Sequence, residues 1–184
     1  MKIEFKALTP REKDIIFEWL DKPHVMKFWD NSQAYRDDII NFIEGRETKS
    51  LYFGGVFSYW VAFINDEPYG FLMTSELNKK SHLPNEYYPY LSKTGKTISI
   101  DIMIGNEKFL NQGLATPTLE AFCNFIPVEV DIKIDTFLID PDEQNERAIR
   151  VYEKAGFKVV DTFKIDQGYF AGHMNVLMIK KANE

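Results

Sequence analysis

The stretch from Thr97 to Ile104 reads Thr-Ile-Ser-Ile-Asp-Ile-Met-Ile, with isoleucine at every second position. A period of two belongs to a β-strand, whose successive side chains leave opposite faces, so Ile98, Ile100, Ile102 and Ile104 share one buried face. Thr97, Ser99, Asp101 and Met103 share the other, which fixes a carboxylate opposite the isoleucine core. A few residues on, Leu110-Asn111-Gln112-Gly113-Leu114-Ala115-Thr116 forms a turn, and Leu119, Phe122, Cys123 and Ile126 follow at helical spacing up to Pro127. A turn opening into a helix presents unpaired backbone N–H groups and the positive end of the helix dipole, which suits a pyrophosphate. Gly113 and Ala115 leave room for one to approach.

The flanking segments read as alternating elements. Ile3, Phe5 and Ala7 alternate with charged residues as a first strand, and Thr9-Pro10-Arg11-Glu12 is a capping box with proline at the first helical position. Ile15, Ile16, Trp19 and Leu20 give that helix its buried stripe, and Lys22-Pro23 ends it. Ser32 caps a second helix through Tyr35, Ile39, Phe42 and Ile43, with Gly45 as its stop. Leu51 to Ser75 reads as two antiparallel strands around Asn65-Asp66-Glu67-Pro68, and Asn78 to Gly95, with Pro84, Glu86, Tyr87, Tyr88, Pro89 and Tyr90, as a long loop that contacts a ligand or anchors itself. Asp131 to Ile139 is a further strand. Asp140-Pro141-Asp142-Glu143 starts a helix with ion pairs Glu143–Arg147 and Glu146–Arg150 that stops at Gly156, and strands Phe157 to Ile165 and His173 to Ile179 finish the chain. The order is β α α β β β α β α β β, a mixed α/β (α+β) fold forming a single domain over residues 1–184.

Composition narrows the function. With 22 basic and 28 acidic side chains the net charge is −6, which argues against a general nucleic-acid binder and leaves a small cationic ligand open. Fifteen Phe, nine Tyr and three Trp exclude a disordered chain. Cys123 is the only cysteine, so no disulfide framework or thiolate metal site forms, and a reducing cytoplasm is expected. His82 and His173 are isolated, and no metal site is expected. The amino terminus has no signal-peptide core, and the longest uncharged run, Ser50 to Asn65, is shorter than the roughly 20 residues of a membrane span and reads as buried strand.

Ser99-Ile100-Asp101, the glycine turn, and the block Asp140-Pro141-x-x-x-Asn145-x-Arg147-Ala148-Ile149-Arg150-x-Tyr152-Glu153-Lys154-Ala155-Gly156-Phe157 together resemble the Gcn5-related N-acetyltransferases. Trp19-Leu20-x-x-Pro23-His24-Val25 and Trp29 extend the likeness to their aminoglycoside 6'-N-acetyltransferase branch. The resemblance implies a mostly antiparallel central sheet flanked by helices, acetyl-CoA as co-substrate, and transfer of its acetyl group to a primary amine of an aminoglycoside-like small molecule in an antibiotic-resistance setting. The same branch also resembles siderophore-pathway acyltransferases acting on a hydroxylated lysine side chain. A non-catalytic acyl-CoA-binding module is the third reading. In the family's pattern an Arg or Gln stands where this chain has Leu110, and Pro117 removes one N–H from the helix's first turn.

Acetyl transfer needs an uncharged amine, a donor for the thioester oxygen and a proton for the departing thiolate. Asp101 is the candidate base, matching an acidic position of the family. Tyr152 is the candidate acid, and a backbone N–H near Met103 the donor. The resemblance places the cofactor on Gln112, Gly113, Leu114, Ala115 and Thr116, with Asn145 contacting its arm or capping the helix. The acceptor falls to His24, Trp29, Asp101 and Asp140, although His24 also reads as an interhelical histidine and Asp140 as a helix cap. Cys123 lies on an apolar helix stripe, so direct attack is expected. The expected partners are a small-molecule amine acceptor, without nucleic acid or membrane, in a monomer or homodimer.

Overall fold

A computed structural model of the chain describes residues 2–46, 49 and 52–182. In chain order the elements are β1 (Ile3–Ala7), α1 (Lys13–Leu20), α2 (Pro23–Met26), α3 (Gln33–Ile43), β2 (Phe57–Ile64), β3 (Glu67–Leu77), β4 (Lys96–Ile104), α4 (Ala115–Glu129), β5 (Ile134–Ile139), α5 (Glu146–Lys154), β6 (Lys158–Lys164) and β7 (Met174–Lys181). The expected order holds with one addition. Pro23, which ends α1, also opens the short α2, because its fixed φ suits a first helical position.

Local chemistry explains most boundaries. The Ser32 hydroxyl accepts from the Tyr35 N–H at 3.2 Å and caps α3. Thr9 does not cap α1 as expected: Glu12 stands at the N-cap position, its carboxylate bonding the Thr9 N–H at 3.2 Å in the turn before the helix, and Pro10 lies in that turn. Asn65 and Asp66 both take positive φ, the two-residue hairpin turn that follows the twist of β2 and β3. Four further expectations shift. The uncharged run becomes strand only from Phe57; Tyr52 to Val56 turn through Phe53 and Gly54 at positive φ, and Ser50 and Leu51 lie outside the described residues. Helix α4 runs on past Pro127 to Glu129, the Val130 N–H still reaching the Ile126 carbonyl at 3.0 Å. Asp131 accepts from the Lys133 N–H in a turn, so β5 starts only at Ile134. Helix α5 starts at Glu146, so Glu143 stands before it and only Glu146–Arg150, at 3.0 Å, is a helical pair.

The seven strands form one sheet in the order β1-β2-β3-β4-β5-β7-β6, antiparallel except for β4 with β5. Helices α4 and α5 cover one face, burying Ile98, Ile100, Leu119, Phe122, Phe137 and Tyr152. On the other face α1 to α3 cover β2 to β4, with Trp19, Tyr35, Ile39, Tyr59, Phe71 and Met103 inside. The segment 78–95, expected as a loop, carries a short 3₁₀ helix over Asn85–Tyr90 and covers β5 to β7 there: its Tyr87 and Leu91 pack on Leu138, Phe163 and Leu177, and the Tyr90 hydroxyl donates to the Val160 carbonyl at 3.0 Å. Among the described residues no helix is long and apolar enough to cross a membrane.

Candidate active site

Strand β4 pairs with β5 only from Lys96 to Ser99, and beyond Ser99 the two strands part. The Lys96 N–H donates to the Lys133 carbonyl at 2.7 Å and the Gly105 N–H to the Tyr69 carbonyl at 3.0 Å. Backbone groups alternate sides along a strand, so Asp101 and Met103 turn their N–H groups to β3, whereas Ile100, Ile102 and Ile104 turn theirs to the opening. Met103 is therefore misassigned as the donor. Its N–H belongs to the sheet and its side chain to the core beside Trp19 and Phe71. A His24 ring nitrogen, Nε2, meets the Ile104 carbonyl at 3.1 Å; a carbonyl only accepts, so that nitrogen carries a proton and the ring is a strut at the mouth of the opening.

Asp101 on β4 faces Asp140, the residue after β5, across this opening. Asp140 does not cap α5: Asn145 does, its side-chain oxygen accepting from the Ala148 N–H at 3.2 Å. Residues 140–143 are strapped to β7 instead, through Glu143 N–H to Met174 and Pro141 carbonyl to Val176, both at 2.9 Å. The Asn175 amide donates to the Asp140 carbonyl and carboxylate at 2.6 and 2.9 Å, and the Tyr87 phenol stands beside that carboxylate. Burial raises the pKa of both carboxyls. The charge of Asp140 pushes Asp101 further up, while the Asn175 bond and the neighbouring Tyr87 phenol hold Asp140 partly down. Asp101 is thereby the more strongly raised carboxyl of the pair and the readier of the two to take up a proton.

Four phenols feel the Asp101 charge: Tyr35, Tyr52, Tyr87 and Tyr152, each raised first by burial. Tyr152 belongs to the α5 side of the sheet and feels both carboxylates, which the parted strands permit; it stays a proton donor. The Tyr52 hydroxyl donates to Asp30 at 2.8 Å. Trp29 is buried between Tyr35 and Phe71, bracing this wall rather than opening onto a ligand. Two buried polar side-chain atoms of the described residues lack a hydrogen-bond partner, the Tyr35 hydroxyl and the Asn175 side-chain oxygen. Both flank the carboxylates, as expected of groups that await a polar ligand. Sequence reasoning left out Asp30, Tyr35, Tyr52 and Asn175, which come from three separate stretches of the chain and follow no local pattern.

On the other side of the opening lies a cleft of about 550 Å³, lined by Ile104, Leu110, Gly113, Ala115 and Thr116 and, across from them, by α5. Leu114 and Gln112 belong to the same turn, with Asn111 and Gly113 at positive φ. The Gln112 amide is turned back onto the Lys108 carbonyl, and Asn145 is occupied as a cap. Cys123 is buried and its thiol is pushed up to about 12, so it supplies no nucleophile.

A parted strand pair with a phosphate-type helix start on one side and a buried carboxylate on the other is the architecture of an acyl-group transferase. The acetyltransferase (GNAT) domain family matches residues 9–165, and the chain belongs to it. It is an N-acetyltransferase, with acetyl-CoA as co-substrate. It is similar to the aminoglycoside N(6')-acetyltransferase type 1 of Klebsiella pneumoniae, 26% identical over 167 residues that cover 90% of this chain and 79% of that one. The fold matches the aminoglycoside N(6')-acetyltransferase of Legionella pneumophila, with a TM-score of 0.74, 22% identity and coverage of 100% of this chain and 95% of that one. It also matches AAC(6')-Ib in complex with coenzyme A and kanamycin, with a TM-score of 0.73, 21% identity and coverage of 98% and 95%.

Proposed function

We propose that the acceptor is a primary amine on a polycationic, aminoglycoside-like small molecule, and that it attacks the thioester directly. The observation that carries this reading is the Asp101–Asp140 carboxylate pair at the mouth of the parted strands, with Asp30 and the phenols of Tyr35, Tyr52 and Tyr87 around it. Carboxylates among aromatic rings attract ammonium groups, by charge and by the π faces. The relatives that bear aminoglycoside N(6')-acetyltransferase names support the same class.

In this reading Asp101 takes the proton from the attacking amine, whose ordinary pKa near 10 keeps it charged at neutral pH. Asp140 orients a second ammonium group and raises the basicity of Asp101. The N–H of Ile102 or Ile104, turned to the opening, polarises the carbonyl, and Tyr152 returns a proton to the sulfur. The test is release of free thiol from acetyl-CoA by purified protein with kanamycin, tobramycin or lysine derivatives, with Asp101→Asn alongside. Release that depends on an aminoglycoside and on Asp101 is the expected result. Release with lysine derivatives alone would move the acceptor to a modified lysine side chain.

A further inference from the structure

The turn that meets the cofactor carries no charge: Leu110 to Pro117 reads Leu-Asn-Gln-Gly-Leu-Ala-Thr-Pro. Nearby cations on its outer side are already committed, Lys108 to Glu67 at 2.8 Å and Lys22 to Glu18 and Glu107 at 3.0 and 3.6 Å. Backbone N–H groups and a helix dipole suit a pyrophosphate that approaches the turn closely. They do not reach an outlying phosphate.

Positive charge stands across the cleft instead. Arg147, Arg150 and Lys154 line it from α5, at spacings of three and four residues that place them along one side of the helix. All three are exposed. Among the described residues Arg147 and Lys154 hold no ion pair, and Arg150 holds only Glu146, an exposed pair of the kind that contributes little and is readily given up. Thr116 at the start of α4 is joined to α5 through the Val151 carbonyl at 3.4 Å, so the N–H groups and the cations face one gap. In a chain of net charge −6, three uncommitted or weakly committed cations around one cleft form a local exception.

We propose that Arg147, Arg150 and Lys154 are the binding residues for the 3′-phosphate of coenzyme A, which supplies the phosphate affinity that the uncharged turn lacks. The inference rests on acetyl-CoA as co-substrate and is independent of which amine is acetylated. It assigns the pyrophosphate to the turn and the 3′-phosphate to the α5 row.

Calorimetric titration of the full chain with coenzyme A and with 3′-dephospho-coenzyme A tests it. The wild type should prefer coenzyme A by about tenfold or more, a preference that shrinks as salt is raised. The triple variant Arg147→Gln/Arg150→Gln/Lys154→Gln should lose roughly 10- to 100-fold in affinity for coenzyme A while binding the dephospho form within about twofold of wild type. Single Arg147→Gln and Lys154→Gln variants should show graded losses, which keeps the test decisive if the triple variant is unstable. An unchanged preference in these variants, or equal losses for both ligands, would overturn the assignment. Failure of the wild type to bind either ligand would instead remove the co-substrate itself, a distinct result.

Discussion

The two sides of the β4–β5 opening are built on opposite principles. The carboxylate side gathers Asp30, Tyr35, Tyr52, Tyr87, Asp101, Asp140 and Asn175 from six separate stretches of chain and is built by burial: desolvation raises both carboxyls and keeps the phenols protonated. The side of the glycine turn is local and exposed. One turn and one helix face supply it, with charge on flexible side chains in water. A reaction needs both, since a proton must be taken where the dielectric is low and a large anionic carrier must be gripped and released where it is high.

The comparison is broken most strongly by Asp101→Asn. Turnover should fall by roughly 10² to 10³-fold, while acetyl-CoA affinity measured by calorimetry stays within about twofold. A parallel loss of affinity would mean that the two sides are not separable. Tyr152→Phe removes one hydroxyl at the junction and should lower turnover by about tenfold with an unchanged melting temperature. Full turnover in that variant would assign the thiolate's proton to water.

Asp140→Asn should move the acid limb of the kcat/KM profile to lower pH, because Asp101 loses a neighbouring negative charge and ionises more easily. A limb that stays in place would show the pair to be uncoupled. Stability should respond in the matching sense. Asp101 has a folded pKa above its unfolded one, so the folded state holds the proton longer, and wild-type stability declines as pH rises from about 4 towards the raised value. Asp101→Asn removes that decline. Its melting temperature should exceed wild type by a margin that widens as pH rises towards neutrality. On the side of the glycine turn Gly113, at φ +72, has open space around a Cβ, so Gly113→Ala should cost only about 1 kcal/mol of backbone strain in a urea titration.

The difference between the two sides also decides what could be read in advance. The turn at Gly113, the Asn145 to Phe157 block and the position of Asp101 opposite the isoleucine face are all contiguous patterns, and they were legible because periodicity and turn chemistry act over a few residues. Met103 was misread for a complementary reason. Its side chain's face follows from the period of two, but the side to which its N–H points depends on which strand pairs where, and β4 has a partner on one side only beyond Ser99. Asp140 looked like a cap because Asp-Pro usually is one. Pairing of residues 140–143 with β7 overrode that preference and moved the cap to Asn145.

The sequence by itself determined the element order, the buried stripes and the glycine turn before α4, because each rests on the short-range spacing of apolar, glycine and capping residues. Only the tertiary structure decided where β4 and β5 part, that two carboxylates face each other there, and that Tyr87 and Asn175 hold one of them. The physical reason is that desolvation and charge coupling depend on distance in space, and residues as far apart as Asp30 and Asn175 become neighbours of one site only when the sheet has formed.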